Sequence, residues 1–197
     1  MTPKQEERIR TKIKQIKAAL AADKKRWGGF HHDGQGLRYL PPRLYLQLGD
    51  FSGGLRYLNW FRKYFPDDMG FPDFLFEWTV ILFKTGRRKE AEKKAFETFR
   101  ANTYLFDKFF GRPVVPIEKW EWSNLAQPAF AVSYFSYSCT QENLRDVAAW
   151  LEGLTQSGKF AQLMDQFIGL ATALLHERDP ERRGLLLQQA RQLESEL

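Results

Sequence analysis

Leu44-Tyr45-Leu46-Gln47-Leu48-Gly49-Asp50-Phe51-Ser52-Gly53-Gly54 decides the fold, because an apolar helical run is stopped by a glycine and a second run starts at once. Leu55, Leu58, Phe61 and Phe65 continue the second run, and Pro66 closes it. A glycine at such a junction lets the chain turn sharply between two antiparallel helices. A small residue five positions on, here Gly54, lets the second helix approach the first. Two similar turns follow, Gly86-Arg87-Arg88-Lys89-Glu90-Ala91 and Gly158-Lys159-Phe160-Ala161-Gln162-Leu163. Their leading glycines stand 37 and then 72 residues apart, and the second gap is two periods of 36. Leu75, Trp78, Thr79 and Leu82 precede Gly86, and Ala91, Ala95 and Phe99 follow it. Val147, Trp150, Leu151 and Leu154 precede Gly158, with Leu163, Phe167 and Leu170 after it. A fixed period near this length predicts an array of helix pairs.

The segment Tyr45…Gly49-Asp50-Phe51…Gly54…Leu58…Pro66 resembles the second half of a tetratricopeptide repeat, and the other two units resemble it more loosely. The pattern covers residues 37–104 and 142–176. It departs from the family at Pro41-Pro42, which delay the start of the first helix, and at Gly54, which replaces the usual alanine. The resemblance implies an all-α protein: an α-solenoid of TPR-like helix-turn-helix repeats with an N-terminal basic helix and a C-terminal capping helix. In that family the first helix of each pair lines a concave, peptide-binding groove. The resemblance therefore implies a non-catalytic protein- or peptide-binding scaffold, with Tyr39, Arg43 and Gln47 of the first unit and Phe76, Val80, Phe83 and Lys84 of the second facing the partner. Aromatic side chains and arginine are good anchors. For Phe76 and Val80, packing between repeats is the competing place. The Lys, Asn and Arg set by which some members clamp a C-terminal carboxylate is missing, so a chaperone tail is not the expected ligand.

Around these units the chain divides further. Residues 1–27 form a basic amphipathic helix: Thr2 can cap it, Pro3 suits its first position, Gln5 can complete a capping box, and Ile9, Ile13, Ile16 and Leu20 share one face. Residues 28–36 are a Gly/His loop, and 37–110 hold two helix pairs. Residues 111–122 are a Pro/Trp insertion in which Trp120 and Trp122 flank Glu121, so that one can face inward and the other outward, with packing under the insertion as the competing reading. Residues 123–197 carry degenerate helical repeats and the cap, beginning with a helix from Ser123 to about Ser138. Asp179-Pro180-Glu181 opens the last helix, with Leu185, Leu186, Leu187, Ala190 and Leu193 on its apolar side.

The net charge of +6 is unevenly placed: residues 1–26 carry nine Lys/Arg against three acids, and the remainder carries twenty-one of each. The first helix could therefore meet nucleic acid or an anionic surface, but docking of its Ile/Leu stripe on the body with lysines in solvent is the favoured reading. His31-His32-Asp33 is the sole cluster with ligand-type or acid–base side chains, and adjacent positions chelate one ion poorly, so neither metal nor cofactor is expected and an enzyme is disfavoured. Cys139 has no partner for a disulfide, and a buried structural thiol beside a helix-capping Thr140 is expected. The apolar stretches Phe71–Phe83 and Ala129–Cys139 are too short to span a bilayer, and no signal core follows Met1, so the cytoplasm is the expected compartment.

Overall fold

The first helix, α1 (Pro3–Arg26), begins on the reciprocal cap its sequence encodes. Gln5 N–H donates to Thr2 Oγ1 at 3.3 Å, and Thr2 N–H donates to Gln5 Oε1 at 2.8 Å. It stops where Gly28 and Gly29 turn left-handed, with φ of 62° and 102°. In this computed structural model, which describes residues 1–197, every further regular element is also helical and no strand occurs. Contacts divide the chain into two units, Met1–Arg87 and Arg88–Leu197. No helix is long and apolar enough to cross a membrane.

In the first unit α1 is followed by a 3-10 turn (Leu37–Tyr39), α2 (Pro41–Leu48), α3 (Phe51–Tyr64) and α4 (Pro72–Lys84). The two prolines occupy the opening positions of α2, where a missing N–H costs no hydrogen bond. Ile13, Ile16 and Leu20 of α1 pack on Leu44 and Tyr45 of α2 and Tyr57 of α3. A second group joins α3 to α4 through Phe61, whose ring lies 4.7 Å from Phe74 and 5.9 Å from Trp78. The turn between α2 and α3 is the one the glycine announces. Gly49 sits at φ 67°, and Asp50 caps α3 by accepting from Gly53 N–H at 2.8 Å. Gly54 is a point of close approach, since a Cβ there would fall 2.8 Å from Ile81 Cδ1 and 3.3 Å from Tyr45 Cβ. A Cβ at Gly49 would meet nothing, so Gly49→Ala tests the backbone alone. It is expected to lower stability by about 1–2 kcal/mol, read as a shift of the urea midpoint.

The second unit contains α5 (Arg88–Ala101), α6 (Leu105–Phe109), α7 (Pro128–Tyr134), α8 (Arg145–Gln156), α9 (Gly158–His176) and α10 (Pro180–Gln192), with short 3-10 turns at Asn124–Ala126, Glu142–Leu144 and Leu193–Glu196. Helix α9 lies at its centre and packs on α5, α8 and α10. Its inner face is Phe160, Leu163, Phe167, Ala171 and Leu174. The boundary between the units falls after Arg87, so α4 and α5, grouped as the second pair from sequence, belong to different units.

Several local expectations change here. The helix placed at Ser123–Ser138 is only α7; Ser123 caps the preceding 3-10 turn, and the chain becomes extended at Phe135. Gly158 opens α9 without a positive φ, the turn being made by Ser157 in an extended conformation, so the third glycine supplies no left-handed residue. Gln141, not Thr140, precedes the turn at Glu142–Leu144, and Cys139 is half-buried with its N–H donating to the Phe109 carbonyl. Asp179 caps α10 as expected, accepting from Arg182 N–H at 2.8 Å. Only Ala190 and Leu193 of its apolar set are fully buried, and Leu185 points outward.

Candidate functional site

Helix α4 is apolar around its whole circumference from Phe74 to Phe83 apart from Glu77 and Thr79, and a helix of that kind is buried on every side. Phe76 and Val80 are each 0% exposed and Phe83 is buried, so these three side chains present no surface to a partner, and their expected place in a groove is corrected to the core. Tyr39 belongs to the 3-10 turn before α2, with its ring packed on Phe71 and Phe74. Arg43 is held by two α4 carboxylates: Nη2 donates to Asp73 at 3.0 Å and Nε to the buried Glu77 at 3.1 Å. Gln47 is exposed, and half-buried Lys84 lies over the Phe51 ring. The seven residues therefore do not form one accessible lining.

The His31-His32-Asp33 loop is a brace whose three side chains go to different neighbours. His32 stacks on Trp27 at 4.8 Å. Asp33, at φ 35°, accepts from the N–H groups of Leu37 (2.9 Å) and Arg38 (3.0 Å), and its carboxylate pairs with the Arg38 guanidinium at 3.0 Å. Arg38 continues to Asp68 at 2.7 Å, and Tyr39 Oη donates to the same carboxylate. Burial and the Asp68 hydrogen bond push the Tyr39 phenol up to about 12. No group of three metal-ligating side chains converges here or elsewhere in the chain.

His31 sits among Trp60, Tyr64 and Phe65, with ring centroids 5.2–5.4 Å away, and both its ring nitrogens are buried without a hydrogen bond. Burial, reinforced by the Lys24 charge, holds its pKa below the ordinary value, so the fold prefers neutral imidazole. The unfolded chain then takes up a proton at higher pH than the folded one. The stabilisation is complete above the unfolded value near 6.5 and is lost as pH falls from there through the folded value. His31→Phe is expected to narrow the fall in urea midpoint between pH 7.5 and pH 5; an unchanged fall would show that His31 does not titrate with folding.

In the second unit the 111–122 insertion is fastened to α9: Trp120 N–H donates to the Ala171 carbonyl at 2.9 Å. Trp120 and Trp122 meet edge to face at 4.4 Å, the arrangement expected of packing under the insertion rather than of one ring inward and one outward. Trp122 also stacks on Phe167. Glu121 turns instead to Lys119 Nζ at 2.7 Å and Tyr104 Oη at 3.1 Å. Between α9 and α10 lies an open cleft of about 500 Å³, lined by Ala173, His176, Glu177, Arg182, Leu185, Leu186 and Gln189. Leu185 is 59% exposed there. The sequence held a signal for it: Leu185-Leu186-Leu187 are consecutive, and three successive residues cannot share one helical face.

Comparison with protein-family models, curated proteins and solved structures finds no match.

Proposed function

We propose that the protein is a non-catalytic adaptor built from TPR-like helix pairs, which holds a segment of a partner protein in the cleft between α9 and α10. The observation that carries this reading is the exposure of Leu185 in a cleft that also offers Arg182, His176 and Gln189 as polar contacts. Leu185 stands there with Leu186 and Ala173, and a contiguous apolar wall within a polar rim is the usual make-up of an interaction site. Two features support the repeat-like ancestry: the adjacent packed pairs α2/α3 and α8/α9, and the close turn at Gly49-Asp50. The concave groove of the family is a weaker place for the partner, because Phe76, Val80 and Phe83 are buried and Arg43 is engaged by Asp73 and Glu77.

The test compares partners recovered from the host by wild type, Leu185→Asp and Arg43→Gln. Wild type and Arg43→Gln are expected to recover the same protein, and Leu185→Asp to lose it by at least about tenfold, the equivalent of one apolar side chain withdrawn from an interface. Equal recovery by all three removes the cleft, and loss only in Arg43→Gln restores the groove.

A further inference from the structure

Helices α1 and α3 end, and α2 and α4 begin, at the same end of the first unit, and the loops 27–40 and 65–71 close that end. The loops are tied together by Arg38 to Asp68, by Tyr39 to Asp68 and Phe71, and by His31 to Tyr64 and Phe65. Bracing of this density leaves the apolar side chains at their tips no place in the core. Phe30 is 78% and Met69 83% exposed, and Trp27, Leu40, Tyr64 and Phe71 are exposed around them. Exposed large apolar groups gathered at one end of a unit mark an interaction surface, whereas scattered ones do not.

The charges around this end have one dominant sign. Lys24, Lys25 and Arg26 finish α1, and Arg62 and Lys63 finish α3. Of the nearby acids, Asp33 and Asp68 share the single Arg38 guanidinium and keep one net negative charge between them, Asp73 pairs with Arg43, and Asp23 is turned inward to the N–H groups of His32 and Asp33. Asp67 is the one acid among them in the open. The first unit carries sixteen Lys/Arg against nine acids, the second fourteen against fifteen, so the field is confined to the unit that bears the apolar tips.

We infer that the loop end of the first unit docks on an anionic lipid surface, with Phe30 and Met69 entering the acyl boundary, Trp27 and Tyr64 at headgroup level, and Lys25, Arg26, Arg62 and Lys63 on the lipid phosphates. Aromatic and aliphatic tips supply apolar burial, and the cations beside them supply attraction that neither an uncharged bilayer nor an acidic protein surface would satisfy together. Single-stranded nucleic acid fits less well. Met69 and Leu40 offer no flat face for a base, and one face of the Trp27 indole is already covered by His32. This inference concerns the first unit and stands independently of the α9/α10 cleft.

The experiment is sedimentation of the full chain with phosphatidylcholine vesicles, with vesicles containing about one-fifth phosphatidylserine, and with a single-stranded oligonucleotide as competitor. Wild type is expected to pellet with the anionic vesicles only, and Lys25→Glu/Arg26→Glu to weaken that binding at least about twentyfold, two cations having been reversed near the surface. Phe30→Ser/Met69→Ser is expected to weaken it tenfold or more with an unchanged circular-dichroism spectrum, since both side chains are already in solvent. No pelleting with anionic vesicles, binding indifferent to Phe30 and Met69, or release by the oligonucleotide through the same residues would each overturn the inference.

Discussion

Ile16→Ala together with Leu20→Ala in α1 is expected to cost about 5 kcal/mol or more, enough to unfold the first unit at ordinary temperature. Both side chains are buried against Leu44, Tyr45 and Tyr57, and nothing else in that cluster can replace the two α1 residues. The truncated side chains leave cavities between elements that pack across a single layer, where collapse is difficult. Deleting residues 1–26 is expected to act more severely, because it bares Tyr45 and Tyr57 and removes Asp23, which holds the loop backbone at His32 and Asp33. Lys12→Gln/Lys14→Gln serves as the control, since both lysines are exposed. It should change stability by no more than about 0.5 kcal/mol. Urea unfolding followed by circular dichroism reads all three, and a double alanine variant as stable as wild type would show that α1 is an arm and not part of the core.

The boundaries of α1 and α2 were legible because local chemistry determines them. Thr2 with Gln5, the Gly28-Gly29 pair, and Pro41-Pro42 each act within a turn of the position they define. The Gly49 turn was legible for the same reason. Helix α7 was not, since it ends at Phe135 where neither glycine nor proline intervenes, and the chain there leaves the helix with its ring against Tyr137. The groove residues failed in a more instructive way. Period alone puts Phe76, Val80 and Phe83 on one stripe of α4, but the same sequence makes the opposite stripe, with Phe74, Trp78 and Ile81, equally apolar. A helix with two apolar stripes has no free face, and that signal outranked the family resemblance.

The polar brace around Arg38 was illegible for a different reason. Asp33 and Arg38 are near in sequence, but Asp68 is thirty residues away in a loop whose acids have no period. Only the meeting of the two loops at the end of the first unit brings these groups together, and charged residues in loops otherwise read as solvated. The His31-His32-Asp33 cluster drew notice for its ligand-type side chains. Its three side chains go to separate places: one ring is packed in an aromatic box, one is stacked in the open, and the carboxylate accepts backbone N–H groups.

That carboxylate carries the second large expected effect. Asp33→Ala is expected to destabilise the first unit by about 2–4 kcal/mol, through two losses that act on one loop. The N–H groups of Leu37 and Arg38, which open the 3-10 turn, lose their acceptor, a change of about 1 kcal/mol for a cap. The half-buried Arg38 guanidinium loses one of its two carboxylates, and removal of one partner from a shielded pair is strongly unfavourable. Alanine also tolerates the left-handed backbone at φ 35° less well than aspartate. Asp33→Asn separates the contributions: Leu37 N–H and Arg38 N–H go to different carboxylate oxygens, so the one amide oxygen keeps a single acceptor while asparagine suits the backbone, and only about a third of the loss should return. Urea unfolding of the two variants beside wild type measures both. A loss under about 1 kcal/mol for Asp33→Ala would mean that Asp68 and Tyr39 hold Arg38 and the loop without it.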